Sequence, residues 1–97
     1  MAVTKKLLQV ITPVRRFLHN EMSAAELVTI VDDLVADNLL SQINPDQAKL
    51  VDRLQVALSL YAPDEMTRRE EPAMLIGDME LRERVSEFNE AMKRMGF

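Results

Sequence analysis

Asp64, Glu65, Glu70 and Glu71 fall between Pro63 and Pro72, directly after an apolar helical run that stops at Tyr61. Carboxylates on a connection anchored by a helix end suit the capture of something basic, because a field of one sign speeds encounter with its opposite. Asp64 reads equally well as the residue that stabilises the turn after Pro63, and the two roles are compatible. A second set of acids, Glu26, Asp33 and Asp37, recurs at i, i+7 and i+11 on one flank of a predicted helix, forming a carboxylate stripe. An ordinary solvated face is the plain alternative for any such stripe.

Catalytic chemistry finds little to work with. The chain has no cysteine and one histidine, His19, which removes thiol nucleophiles, thiolate zinc sites and disulfides together and leaves no nucleophile–base pair. His19 lies near a predicted helix end, where the dipole suits it, and no Glu-x-x-His or His-x-x-x-His spacing accompanies it. Asp32 and Asp33 are adjacent, so on a helix their side chains diverge by about 100° and do not form a working carboxylate pair. Asp32-Asp33-Leu34 also lacks the serine that a phosphopantetheine carrier needs. Glycine is limited to Gly77 and Gly96 and aromatics to Phe17, Tyr61, Phe88 and Phe97, which leaves neither phosphate-cradling loops nor base-stacking platforms. Seven methionines raise the idea of a flexible thioether groove, but Met22, Met66, Met74, Met79, Met92 and Met95 are scattered. The expectation is a non-enzymatic binding protein with no cofactor, no metal and no nucleic-acid partner.

Those side chains need a scaffold, and the composition supports one. Ninety-seven residues at 47% hydrophobic and 29% charged are the make-up of a single globular domain over residues 1–97. Such a chain buries roughly 60–70% of its unfolded surface, enough for one core but little for a deep catalytic cavity besides. The net charge of −4 is unevenly spread: residues 1–20 carry Lys5, Lys6, Arg15 and Arg16 with no acid, whereas residues 21–65 carry nine acids against Lys49 and Arg53. The apolar run from Leu7 to Ile11 is broken by Thr12, Pro13, Arg15 and Arg16. It is too short for a secretory or membrane-spanning segment, so a cytoplasmic protein without membrane contact is expected.

Helical periodicity accounts for nearly all apolar positions. In residues 4–19, Leu7, Ile11, Val14 and Leu18 share a face, and Pro13 predicts either a kink near Gln9–Thr12 or a fresh start capped by Thr12. A second helix opens at the capping box Ser23-Ala24-Ala25-Glu26 and runs to about Leu40, with Leu27, Ile30, Val31, Leu34, Val35 and Asn38 on its inner side. Asn44-Pro45-Asp46-Gln47 starts a third over residues 45–61, buried through Leu50, Val51, Leu54, Ala57, Leu58 and Tyr61. Residues 62–77 are a long connection. A fourth helix begins at Asp78 as cap, buries Leu81, Val85, Phe88, Met92 and Met95, carries Glu80–Arg84 and Glu90–Arg94 pairs, and closes at Gly96. The expected fold is all-α: an antiparallel four-helix bundle with a long connection between helices 3 and 4, in which residues 1–12 form a basic N-terminal segment that can extend helix 1 through a kink.

The order of Phe17-Leu18, Glu21-Met22-Ser23-Ala24-Ala25-Glu26-Leu27, Tyr61-Ala62-Pro63-Asp64, Arg68, and Ile76-Gly77-Asp78 leading to Leu81-Arg82 and Val85 resembles the colicin D immunity and self-protective colicin-like immunity proteins. The resemblance covers residues 13–95. It departs from the family pattern in the added segment 1–12 and in Gln55 and Ser59, which precede Tyr61 where acids would strengthen a plug for a basic site. What it implies is an antidote that binds the basic cytotoxic domain of a bacteriocin or contact-dependent toxin and covers its active site; in the colicin D case that toxin is a tRNA-cleaving nuclease. Asp64 falls on the family-like Tyr-x-Pro-Asp motif beside Tyr61. Glu65, Glu70 and Glu71 extend it, with Asp33 and Asp37 joining if the second helix lines the same surface. The alternative is a helical interaction or regulatory module that offers an acidic face to a partner helix.

Overall fold

The computed structural model describes residues 2–62 and 75–97. Among them the chain forms four α-helices and one short 3-10 turn, with no strand. The first helix, α1, spans Ala2–Leu18 and buries Leu7, Val10, Ile11, Val14 and Phe17 on one stripe. It runs unbroken through Pro13, so the fresh start at Thr12 does not occur. Burial explains why. A proline in a helix interior costs about 3 kcal/mol, whereas each buried Leu, Val or Ile contributes about 1.5–3 kcal/mol, and Leu7, Val10 and Ile11 all precede Pro13 on the stripe that Val14 and Phe17 continue. Phe17 holds the buried place expected of Leu18, which is half-buried. The helix closes on Asn20, whose φ is 61°, with Glu21 N–H donating to the Arg16 carbonyl at 2.8 Å and Asn20 N–H to that of Phe17 at 3.0 Å. Asparagine here takes the left-handed position that glycine usually fills.

Ser23 caps α2, Ala24–Ala36, by accepting the Glu26 amide at 3.2 Å. The other half of the predicted box differs: the Ser23 hydroxyl donates to the Glu26 carboxylate, also at 3.2 Å. The helix stops four residues short of Leu40, because Asn38 turns the chain at φ 65° and is exposed rather than buried. The 3-10 turn Leu39–Ser41 follows, and the change of direction brings Leu39 and Ile43 into the core. Gln42 Nε2 donates to the Asp37 carbonyl at 3.2 Å, satisfying one of the carbonyls left open at the end of α2.

Both arms of the capping box form at the start of α3, Pro45–Leu60: Asn44 Oδ1 accepts from Asp46 N–H at 2.8 Å and Gln47 Oε1 from Asn44 N–H at 3.3 Å. Val51, Leu54, Ala57 and Leu58 are buried, and Tyr61 is the C-cap rather than the last helical residue. The fourth helix, α4, spans Asp78–Arg94 and is capped by Gly77 instead of Asp78. It buries Leu81, Val85, Phe88, Asn89 and Met92. Met95, expected on that face, lies past the helix end and is 42% exposed. Gly96, at φ 98°, turns the chain as expected, with its N–H on the Lys93 carbonyl and that of Phe97 on the Met92 carbonyl, both at 3.0 Å. Arg84 pairs with Glu80 at 3.2 Å, while Glu90 pairs with Lys93 at 3.5 Å rather than with Arg94.

Each helix packs on two others: α1 on α2 and α4, and α3 on α2 and α4. One apolar core receives side chains from all four, and residues 1–12 belong to it through Leu7, Val10 and Ile11. Two arginines stitch α1 to α4. Arg15 Nε donates to Asn89 Oδ1 at 3.0 Å and its guanidinium also reaches the Phe97 carbonyl, which satisfies the one buried polar side chain of the described core. Arg82 sits over the Phe17 ring, 5.0 Å from its centre, and donates to the Leu18 carbonyl at 3.2 Å and to Asn20 Oδ1 at 2.7 Å. A cation thus occupies the negative end of α1, where the helix dipole favours it.

Candidate partner-binding surfaces

The segment leaving α3 is pinned to the segment entering α4. Ala62 N–H donates to the Ile76 carbonyl at 2.9 Å, and Ile76 N–H to that of Leu60 at 3.0 Å, forming an isolated parallel bridge between Tyr61 and Ile76. Ala62 and Ile76 are buried. The Tyr61 hydroxyl donates to the Asp78 carboxylate, on the first residue of α4. Three links therefore hold the two ends of the connection together. One turn beyond Asp78, Arg82 reaches the end of α1, so Tyr61, Asp78, Arg82 and Asn20 belong to one end of the structure.

Of the residues that the sequence points to for partner binding, Asp64, Glu65, Glu70 and Glu71 lie outside the described residues. Tyr61 is half-buried at the anchor just described, and Asp33 and Asp37 are exposed on and just past α2. Asp37 lines a cleft of about 30 Å³ with Lys6 and Gln9. Those α1 residues precede Leu18 by nine to twelve positions, about 13–18 Å along a helix, and it is Leu18 that adjoins Arg82 and hence the Tyr61 end. The structure thus does not bring Asp37 to Tyr61. Asp78, predicted as the helix cap, is the first residue of α4 and supplies the carboxylate that Tyr61 meets. Its link to Tyr61 spans 17 positions, and no local pattern announces it.

Between α3 and α4 runs a furrow that no sequence motif announces. It has a volume of about 520 Å³, with Leu50, Leu54, Phe88 and Ala91 along it and Val56 at one end. A second hollow of about 320 Å³ shares Leu50, Arg53, Ala91 and Arg94 with it and extends it to Lys49 and Met95. The available signal was small: Val56 is an apolar residue that the predicted stripe of α3 does not absorb and is 51% exposed, whereas Met95, predicted to be buried, is also open to solvent.

Among the described residues no three His, Cys, Asp or Glu side chains are grouped to hold a metal ion, and no helix is long and apolar enough to cross a membrane. No protein-family model, curated protein or solved structure matches the chain.

Proposed function

We propose that this protein is an antidote: an antiparallel four-helix bundle that binds the basic cytotoxic domain of a bacteriocin or contact-dependent toxin, a nuclease such as a tRNase, and covers its active site in the cytoplasm. A nuclease site is built to attract phosphates, so a carboxylate-bearing surface can compete for it with matching charge. The reading rests on the likeness to colicin-like immunity proteins around Tyr61-Ala62-Pro63-Asp64. The structural observation that supports it is the pinning of Tyr61 and Ala62 against Ile76 and Asp78. Residues 63–75, which include Asp64, Glu65, Glu70 and Glu71, connect the two pinned points Ala62 and Ile76, which limits the ordering cost of binding through them. The antiparallel arrangement is supported by Arg82, early in α4, reaching the end of α1, while Arg15, earlier in α1, meets Asn89, later in α4. In this reading the protein performs no catalysis, needs no cofactor and acts stoichiometrically. Asp37, on the cleft with Lys6 and Gln9, takes no part in the same contact.

Co-expression with a toxin encoded beside the gene tests the proposal. The wild type is expected to protect cells and to co-purify with the toxin domain. Failure to bind any neighbouring gene product would sink the antidote and favour a regulatory interaction module.

A further inference from the structure

We propose that the furrow between α3 and α4 is a second docking surface, one that takes a short amphipathic helix of a partner protein with an apolar stripe and an acidic end. The apolar part is built: Leu50, Phe88 and Ala91 lie along the furrow, Val56 stands at one end and Met95 at the other. Two of the four large apolar side chains exposed among the described residues therefore border this one feature. From Asp46 to Val56 the furrow follows ten residues of α3, about 15 Å and about three turns of a docked helix. Three apolar anchors at i, i+4 and i+7 match that length.

Charge selects the occupant and its direction. Around Met95 the furrow carries Lys49, Arg53 and Arg94 against Asp46 alone, in a chain whose net charge is −4. Among the described residues, Lys49, Arg53 and Arg94 make no hydrogen bond or ion pair. Toward Val56 the cations give way to Asp52 and Glu87, with Arg84 already held by Glu80. An occupant with carboxylates at the Met95 end and an uncharged apolar stripe toward Val56 complements both halves. A second copy of this chain fits less well: α2 has an exposed acidic flank, but its half-buried apolar residues other than Ile30 pack against the protein's own core, which leaves one anchor where three are needed. The surface is opposite in charge to the acidic connection and does not depend on the antidote reading.

The test uses the full chain and two fluorescein-labelled synthetic helices of about 14 residues, each with leucines at helical spacing and either three glutamates or three lysines at one end. Anisotropy titration is expected to give about tenfold tighter binding of the glutamate helix. That preference should shrink as salt rises and vanish in an Arg53→Glu/Arg94→Glu variant with an unchanged circular dichroism melt. Met95→Ser, which alters no charge, should weaken binding of the glutamate helix while keeping the preference. Equal binding of the two helices, or binding of neither, overturns the proposal. So does a single-stranded oligonucleotide of equal charge that binds in preference, or self-association in sedimentation equilibrium that the double charge reversal abolishes. No toxin enters the assay, so its failure and the failure of the antidote reading are separable.

Discussion

Tyr61 sits where three links meet: its N–H closes α3 on the Leu58 carbonyl, its neighbours Leu60 and Ala62 make the hydrogen bonds of the bridge to Ile76, and its hydroxyl donates to Asp78. The aromatic at the helix end was legible in the sequence, because the apolar spacing of α3 runs up to it and Pro63 follows two residues on. The bond to Asp78 was not, since a contact across 17 positions depends on where α4 comes to lie. Tyr61→Phe removes that one hydrogen bond and leaves the ring in place. The acceptor is an exposed carboxylate that water can serve, so the cost should fall at the low end of the usual range, about 0.5–1.5 kcal/mol. Thermal unfolding measures it. If the two ends of the connection are held chiefly by this bond, amides 62 and 76 will also exchange faster with solvent in the variant; unchanged exchange would assign the pinning to the backbone bridge alone.

At the scale of elements, capping signals carried most of the information. Asn44 with Gln47, Ser23 with Glu26, and Gly96 each mark a helix end where the sequence predicts one. In α1 and at the end of α2, tertiary burial overrides a local preference. Pro13 is a strong local stop, yet α1 continues because Leu7, Val10 and Ile11 have a core to enter. Asn38 falls on the inner side of the predicted second helix, yet it turns left-handed so that Leu39 and Ile43 can be buried. Two substitutions check this balance. Pro13→Ala should restore a helical N–H and raise stability by about 1–3 kcal/mol, less than the full helix-interior cost of proline because alanine also frees the unfolded chain. Leu7→Ala should cost about 2–5 kcal/mol by leaving a cavity. If Leu7→Ala is no worse than a surface change, residues 1–12 are an appendage and not part of the core. Chemical denaturation of both variants reads the two signs in one experiment.

At the scale of the whole molecule, two regions of opposite charge are proposed to bind partners: the acidic connection after Tyr61 and the furrow between α3 and α4. Net charge by segment was visible in the sequence, but the furrow was not, because it arises between two helices and its cations come from α3 and α4 together. If the acidic connection meets a basic toxin, association should slow as salt rises, since exposed charges are screened within about 8–10 Å at 0.1–0.15 M ionic strength. Asp64→Ala should weaken toxin binding and protection while changing stability by no more than about 0.5 kcal/mol, the usual range for a surface substitution. A quadruple Asp64/Glu65/Glu70/Glu71 alanine variant should lose most of the salt-dependent association rate, because charge complementarity governs the on-rate more than any other step. Arg53→Glu/Arg94→Glu should leave that rate unchanged or raise it, since it makes the molecule more acidic. Stopped-flow association with the purified toxin domain at several ionic strengths, beside melting curves for each variant, separates the contributions. Full protection and an unaltered salt slope in the quadruple variant would remove the connection from the mechanism, and a slope that instead disappeared in the arginine variant would assign toxin capture to the furrow.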